Sequence, residues 1–250
     1  MFKWSWLSIV LLWSCLARGG EGQDIRLTVA TDVWPPFRIL QADGRFTGLD
    51  MDILAALQAR TGIRLVVQRY PWGRALHRMQ SGQVDLMIGL ARTGDRAAYI
   101  DYLQPAYYQC RPAFYGEPLL ASQIRRYQDL LPHEVGYVLK SVYFSPFDED
   151  ARLDKHGVAT EGQLLGMMAR GYLPLMIGTD CQVDYALSRA NPAGLIKTHY
   201  RPDQAVTLYL GMSKQSPGQA HKARLEQALA ELVSSGEVER LAAHYRPASP

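Results

Sequence analysis

Three side chains in the first half of the chain could do recognition chemistry together: Trp34, Trp72 and Arg96. Each follows a stretch that reads as a β-strand, and the loops after the strands of an open α/β sheet gather at one edge, where such sheets bind ligands. Two aromatic plates and one permanent cation at that edge make half of a clamp for a small anion, because a planar guanidinium can set two parallel hydrogen bonds on a carboxylate. The ring faces add flat apolar contact and can hold a planar or cationic group.

Other chemistries find little support in the spacing. His77, His133, His156, His199, His221 and His244 show no close ligand pattern such as HxxxH, and Cys110 and Cys181 have no CxxC partner. The sequence has no phosphate-cradling glycine loop of the P-loop type, so any energy coupling would reside in another protein. No catalytic residue, metal or cofactor is expected.

The elements that must position the three residues form a repeat. Ile25 to Ala30 alternates as a first strand, and Trp34-Pro35-Pro36-Phe37 must be loop, since two prolines supply no amide hydrogens. After Gly48, Leu49, Ile53, Leu54 and Leu57 share one helical face, with Asp50 and Asp52 in the first turn and Gly62 as the cap. Ile63 to Gln68 is a second strand, Pro71 opens a helix that Gly82 ends, and the continuous apolar run Val84 to Leu90 suits a strand buried on both faces. A second α/β set follows: strands at Val135 to Leu139 and Leu173 to Gly178, with helices after Ser141, from Glu161 to Arg170 and from Cys181 to Ser188. Val206 to Met212 as strand and Ala220 to Val233 as helix complete it, and the Pro- and Tyr-rich segments around 105–115 and 190–201 are the expected crossings between two lobes.

At 250 residues, 48% hydrophobic and 20% charged, the chain is ordinary for a globular protein. Lys3 precedes an apolar run from Trp4 to Leu16 that is too short for a stable spanning helix, so residues 1–19 read as a secretory signal peptide. Removing Lys3 and Arg18 leaves 25 Lys and Arg against 24 Asp and Glu, and this balance argues for no nucleic-acid partner. Leu12-Trp13-Ser14-Cys15 resembles a lipobox, but the bulky Trp13 favours ordinary cleavage near Ala17 to Gly20 over lipid attachment at Cys15. Cys110 and Cys181 remain, an even pair in an oxidising compartment, open to a disulfide or to two buried thiols.

In this order, Ala30-Thr-Asp-Val-Trp34-Pro-Pro-Phe37, Gly48-Leu-Asp-Met-Asp52-Ile, Trp72-Gly-Arg-Ala-Leu76, Ser81-Gly-Gln-Val-Asp85-Leu and Thr93-Gly-Asp-Arg96, followed by Tyr107-Tyr108, carry a resemblance over nearly the whole mature chain. The chain resembles the periplasmic solute-binding proteins of the polar amino-acid type, family 3, the receptor components of bacterial ABC importers. The resemblance implies a type II periplasmic-binding-protein fold: two α/β lobes, each a mainly parallel sheet flanked by helices, joined by a two-strand hinge. Lobe I would take residues 24–107 plus 205–250, and lobe II with the hinge crossings residues 108–204.

The same resemblance assigns roles. Arg96 is the residue that forks onto a ligand carboxylate, Trp34 lies over the ligand, Trp72 closes the pocket, Gly89 offers close backbone and Arg92 is a further cation. Two places depart from the family pattern. The aspartate that holds an α-amino group falls on Thr179, with Asp180 one place later and Asp184 a helical turn beyond. Ala91 stands where a hydroxyl is expected, and Lys140-Ser141-Val142 replaces a glycine-threonine cradle. The carboxylate half of amino-acid recognition is therefore better supported than the amine half.

The expected function is an exported monomer that closes on a small polar ligand, an amino acid or related carboxylate, and delivers it to a membrane ABC permease. The alternatives are a ligand-sensing subunit for a membrane signalling protein, which uses the same closure, and a lyase like the cyclohexadienyl dehydratases, which share the fold. The lyase would need a general acid, for which Asp180, Asp184 and Glu161 are the available carboxyls.

Overall fold

The computed structural model describes residues 24–246; the signal-peptide and lipobox expectations fall on residues outside that range. The chain runs β1 (Arg26–Thr31), β2 (Ile39–Leu40), β3 (Phe46–Thr47), α1 (Leu49–Thr61), β4 (Arg64–Arg69), α2 (Trp72–Gln80), β5 (Leu86–Ala91), α3 (Gly94–Ala97), β6 (Ile100–Tyr102) and β7 (Tyr108–Cys110). The middle follows as β8 (Pro112–Gly116), α4 (Pro118–Gln123), β9 (Val135–Val138), β10 (Lys155–Val158), α5 (Glu161–Ala169), β11 (Leu175–Thr179), α6 (Asp180–Arg189) and β12 (Ile196–Lys197). It returns through β13 (Val206–Ser213), α7 (Lys222–Ser234) and α8 (Glu237–Ala243).

Two sheets result, one per lobe. The first has the order β4-β1-β5-β13-β6, with β7 also paired to β13, so it draws strands from both ends of the chain. The second, β10-β9-β11-β8-β12, uses only the middle. In each, three strands run parallel (β4-β1-β5 and β10-β9-β11), and the strands on the crossing side, β13, β6 and β7 or β8, pair antiparallel. Both sheets are thus mixed rather than purely parallel, β13 being the reversed strand of the first and β8 that of the second.

Helices cover both faces of both sheets. In the first lobe, Leu49, Ile53 and Leu57 of α1 join Leu225, Leu229 and Leu232 of α7 on one face, while Ala75, Leu76 and Met79 of α2 cover the other. In the second, Leu164 and Met168 of α5 pack with Val183 of α6 on one face, and an aromatic group including Phe114, Tyr127, Phe144 and Phe147 fills the other. Asp85 clamps the first sheet: its Oδ2 accepts from the backbone and hydroxyl of Thr28 at 2.7 and 2.8 Å, and its Oδ1 from Ser216 at 2.5 Å.

One expected element is absent. Residues after Ser141 form turns, not a helix. Pro146 interrupts the segment, Asp148 takes the Tyr143 amide at 3.1 and 3.0 Å, and Phe144 and Phe147 turn into the core. The two lobes are joined at Arg111, between β7 and β8, and by the run from β12 to β13. Cys110 and Cys181 form a disulfide there, with Cα atoms 5.6 Å apart, tying the end of β7 to the first turn of α6. Among the described residues no helix is long and apolar enough to cross a membrane.

Candidate functional site

Between the lobes lies a cavity of about 80 Å3, lined from lobe I by Asp32, Trp34, Arg38, Trp72, Gly89 and Arg96 among others, and from lobe II by Ser141, Tyr143, Glu161 and Thr179 among others. A single water needs roughly 10–15 Å3, so the space suits a small metabolite of several heavy atoms rather than a chain.

The loop after β5 builds the cationic wall. Thr93 caps the short helix α3, its hydroxyl accepting from the Arg96 amide at 3.1 Å, which aims the arginine back over the strand end. Arg96 is only 6% exposed. Its Nη1 donates to the Ala91 carbonyl at 3.0 Å and its Nη2 to the Lys140 carbonyl at 2.6 Å. A guanidinium has five N–H donors, so these two bonds fix the plane and leave part of the fork unspent. Burial pulls its pKa down from the ordinary value, but an arginine starts so high that the charge stays. Among the described residues no carboxylate forms an ion pair with it.

The aromatic walls are held from the loop after β1. Asp32 Oδ2 accepts from the Trp72 amide at 3.0 Å, and its Oδ1 from the Val33 amide at 2.8 Å, so one carboxylate anchors the chain at both tryptophans. Trp72 lies 5.8 Å from the Arg96 guanidinium and donates its indole N–H to the Lys140 carbonyl at 3.3 Å. Trp34 stacks on Phe37 at 4.5 Å; Phe37 is core, and Trp34 is the half-buried ring that reaches the cavity. Lys140 therefore receives two lobe I donors on its backbone, with φ of 65°, a left-handed conformation uncommon for a side-chain-bearing residue and typical of functional turns.

Beneath these walls runs an ion pair that sequence reading missed. Arg38 Nη1 donates to Asp50 Oδ2 at 2.5 Å and to the Ile88 carbonyl at 3.0 Å, while the Tyr107 hydroxyl donates to Asp50 Oδ1 at 2.6 Å. Burial raises the Asp50 carboxyl, and Arg38 and Tyr107 pull against that rise. Asp50 thus does more than complement the dipole of α1. Gly89, at φ 81°, is required here as well as at the cavity: a Cβ at that position would run into Arg38 Nη1.

The structure brings Trp34, Trp72, Gly89, Ala91, Arg96, Ser141 and Thr179 together around the cavity. It leaves two expected residues outside. Arg92 turns into a neighbouring cleft, 5.8 Å from the Tyr102 ring. Asp180 turns to the crossing, accepting from the Arg111 amide at 2.8 Å and from the Cys181 amide at 2.7 Å, since its place at the start of α6 points it at the hinge backbone. Asp184 is also engaged elsewhere, by Tyr115 at 2.9 Å and Lys197 at 2.5 Å. Glu161, at the first position of α5, does line the cavity, and burial pushes its carboxyl up to about 8.

Residues 27–248 match the model of the bacterial extracellular solute-binding proteins, family 3, and the chain belongs to that family. A probable histidine-binding protein of Neisseria gonorrhoeae is 25% identical over 114 residues, 40% of this chain and 42% of that relative, so less than half of its length is spanned. The fold is similar to that of a Streptococcus pneumoniae amino-acid ABC transporter substrate-binding protein bound to L-arginine, with a TM-score of 0.77 and 21% identity over 88% of this chain and 94% of the other. It is equally similar to a histidine kinase sensor domain, with a TM-score of 0.79 and 19% identity over 89% and 96% of the two chains.

Proposed function

We propose that this protein is an exported receptor that closes its two lobes on one amino acid or closely related carboxylate and hands it to an ABC-type permease. The observation that carries the reading is Arg96, a buried cation without a carboxylate partner among the described residues, set beside Trp72 on an interlobe cavity that Trp34 also lines. A buried charge left uncompensated is costly, and a ligand carboxylate bound by the free part of the fork removes that cost. Closure has its own latch, because Arg96 and Trp72 of lobe I both donate to the Lys140 carbonyl of lobe II. A ligand that favours the closed arrangement shifts the population toward it. The L-arginine carried by the pneumococcal relative makes basic amino acids the first to try.

The test is a thermal-shift screen of the mature protein against amino acids, polyamines and organic acids, since a ligand that binds only the folded form raises the midpoint. Compounds bearing an α-carboxylate should raise it and carboxylate-free polyamines should not, and Arg96→Gln should abolish the response. An unchanged response in Arg96→Gln would refute the carboxylate assignment. The likeness to a kinase sensor domain supports a second destination for the same closure, a membrane signalling protein; a neighbouring permease gene or a neighbouring sensor gene separates the two. Turnover of prephenate or arogenate would replace the receptor reading with the lyase one.

A further inference from the structure

Among the described residues four buried side-chain oxygens have no hydrogen-bond partner, and two of them, Glu161 Oε2 and Thr179 Oγ1, belong to residues that line the interlobe cavity on the lobe II side. Buried polar atoms are nearly always paired, so an orphan at a cavity points to something that binds there. The surroundings sharpen this. Glu161, Leu164, Leu165 and Met168 fall at i, i+3, i+4 and i+7, so the carboxyl occupies the first position of the apolar stripe of α5 rather than its solvent face. Thr160 caps that helix through the Gln163 amide at 3.2 Å, and Gln163 Oε1 in turn accepts from the Ala159 amide at 3.2 Å, which fixes the direction in which Glu161 leaves the chain. No Lys or Arg forms an ion pair with Glu161 among the described residues.

The other acid on an apolar stripe, Asp50 of α1, shows what the chain does when it pairs such a group itself: Arg38 and Tyr107 close on both oxygens. Glu161 has no counterpart of either kind. An unpaired carboxyl in that place is destabilising, and a cationic donor is what it lacks.

We propose that Glu161, assisted by the Thr179 hydroxyl, binds a protonated nitrogen of the ligand, so that lobe II supplies from α5 the carboxylate that Thr179 lacks at the end of β11. This rests on the reading of Arg96 as the carboxylate site. The ligand then bridges the lobes by charge, its anionic end toward lobe I and its cationic nitrogen toward lobe II, and neither lobe alone satisfies it. The nitrogen is either an α-ammonium or the end of a basic side chain, and one set of probes distinguishes them.

The experiment is isothermal titration of the mature protein and of its Glu161→Gln, Glu161→Asp and Arg96→Gln variants with L-arginine, with its 2-hydroxy analogue that lacks the α-ammonium, and with L-citrulline that lacks the side-chain cation. Circular dichroism and melting of each variant establish that it folds. Glu161→Gln should weaken L-arginine roughly thirtyfold or more, Glu161→Asp less, and Glu161→Gln should bind the analogue missing the contacted nitrogen as well as the wild type does. Loss of discrimination against the 2-hydroxy acid assigns the α-ammonium; loss against citrulline assigns the side chain. Unchanged L-arginine affinity in a folded Glu161→Gln, with binding lost in Arg96→Gln, overturns this proposal and leaves the receptor reading standing. A wild type that ignores L-arginine and every other amino acid, and takes instead a carboxylic acid with no cationic nitrogen, overturns the cation proposal while Arg96 keeps its role.

Discussion

Replacing Glu161 by glutamine should change how stability depends on pH, and the size of the change follows from its surroundings. In the unfolded chain the carboxyl has an ordinary value of 4.5, and in the fold burial pushes it up to about 8. Between those two values the folded protein holds a proton that the unfolded chain has released, so stability falls as pH rises, by about 1.4 kcal/mol for each unit. Below the lower value both forms are protonated and no penalty exists; above about pH 8 it is complete, at about 5 kcal/mol in full. Part of the residue reaches solvent, which screens the effect and makes half of that slope acceptable. The glutamine has no proton to lose. Urea unfolding of both proteins, followed by tryptophan fluorescence in steps from about pH 5 to about pH 9, should show a stability gap in favour of Glu161→Gln that widens to about pH 8 and is level beyond. The other ionisable side chains around the cavity and on the strands next to α5, among them Asp32, Arg38, Arg96, Tyr143, Tyr137, Lys155 and His156, are common to both proteins. A gap that stays constant across this range would refute the argument that Glu161 sits buried and unpaired.

Two further outcomes follow from the scaffold. Asp50→Ala strands Arg38 in the core and should cost about 3–5 kcal/mol in the same urea titration, whereas a loss below about 1 kcal/mol would mean that the pair contributes little. The Cys110–Cys181 disulfide closes a loop of 71 residues; Cys110→Ser with Cys181→Ser should lower stability by about 4 kcal/mol on the chain-entropy view, and wild type treated with dithiothreitol should behave like the double variant.

The cavity wall of the first lobe was legible because it is built from side chains whose types stand out in the sequence. A Trp in the loop after β1, a Trp at the first position of α2 and an Arg on a capped turn are recognisable whatever the rest of the chain does, and the structure gathers all three at one cavity. The turn after β9 was not legible. Lys140 acts through its backbone carbonyl, held at positive φ and bonded by Arg96 and Trp72, and a carbonyl is the same whatever residue carries it. The segment beyond it, expected as helix, forms turns whose aromatics fold into the core around Phe114.

The carboxylates expected for the amine half turn away from the cavity, while the acid that does line it carries a different sequence signal. Searching near Thr179 for a carboxylate led to Asp180 and Asp184, which the structure gives to the hinge backbone and to Tyr115 and Lys197. The informative pattern lay in helical phase: Asp50 and Glu161 each stand three and four residues before the core positions of their own helices, Ile53 and Leu54 in one, Leu164 and Leu165 in the other. An acid placed on an apolar stripe is directed inward, and burial then demands a partner. For Asp50 that partner is Arg38, twelve residues earlier. For Glu161 no partner exists among the described residues, and the unmet demand faces the same cavity as the unspent fork of Arg96. Phase within a helix therefore locates an inward acid, and only the three-dimensional neighbourhood decides whether it serves the fold or the ligand.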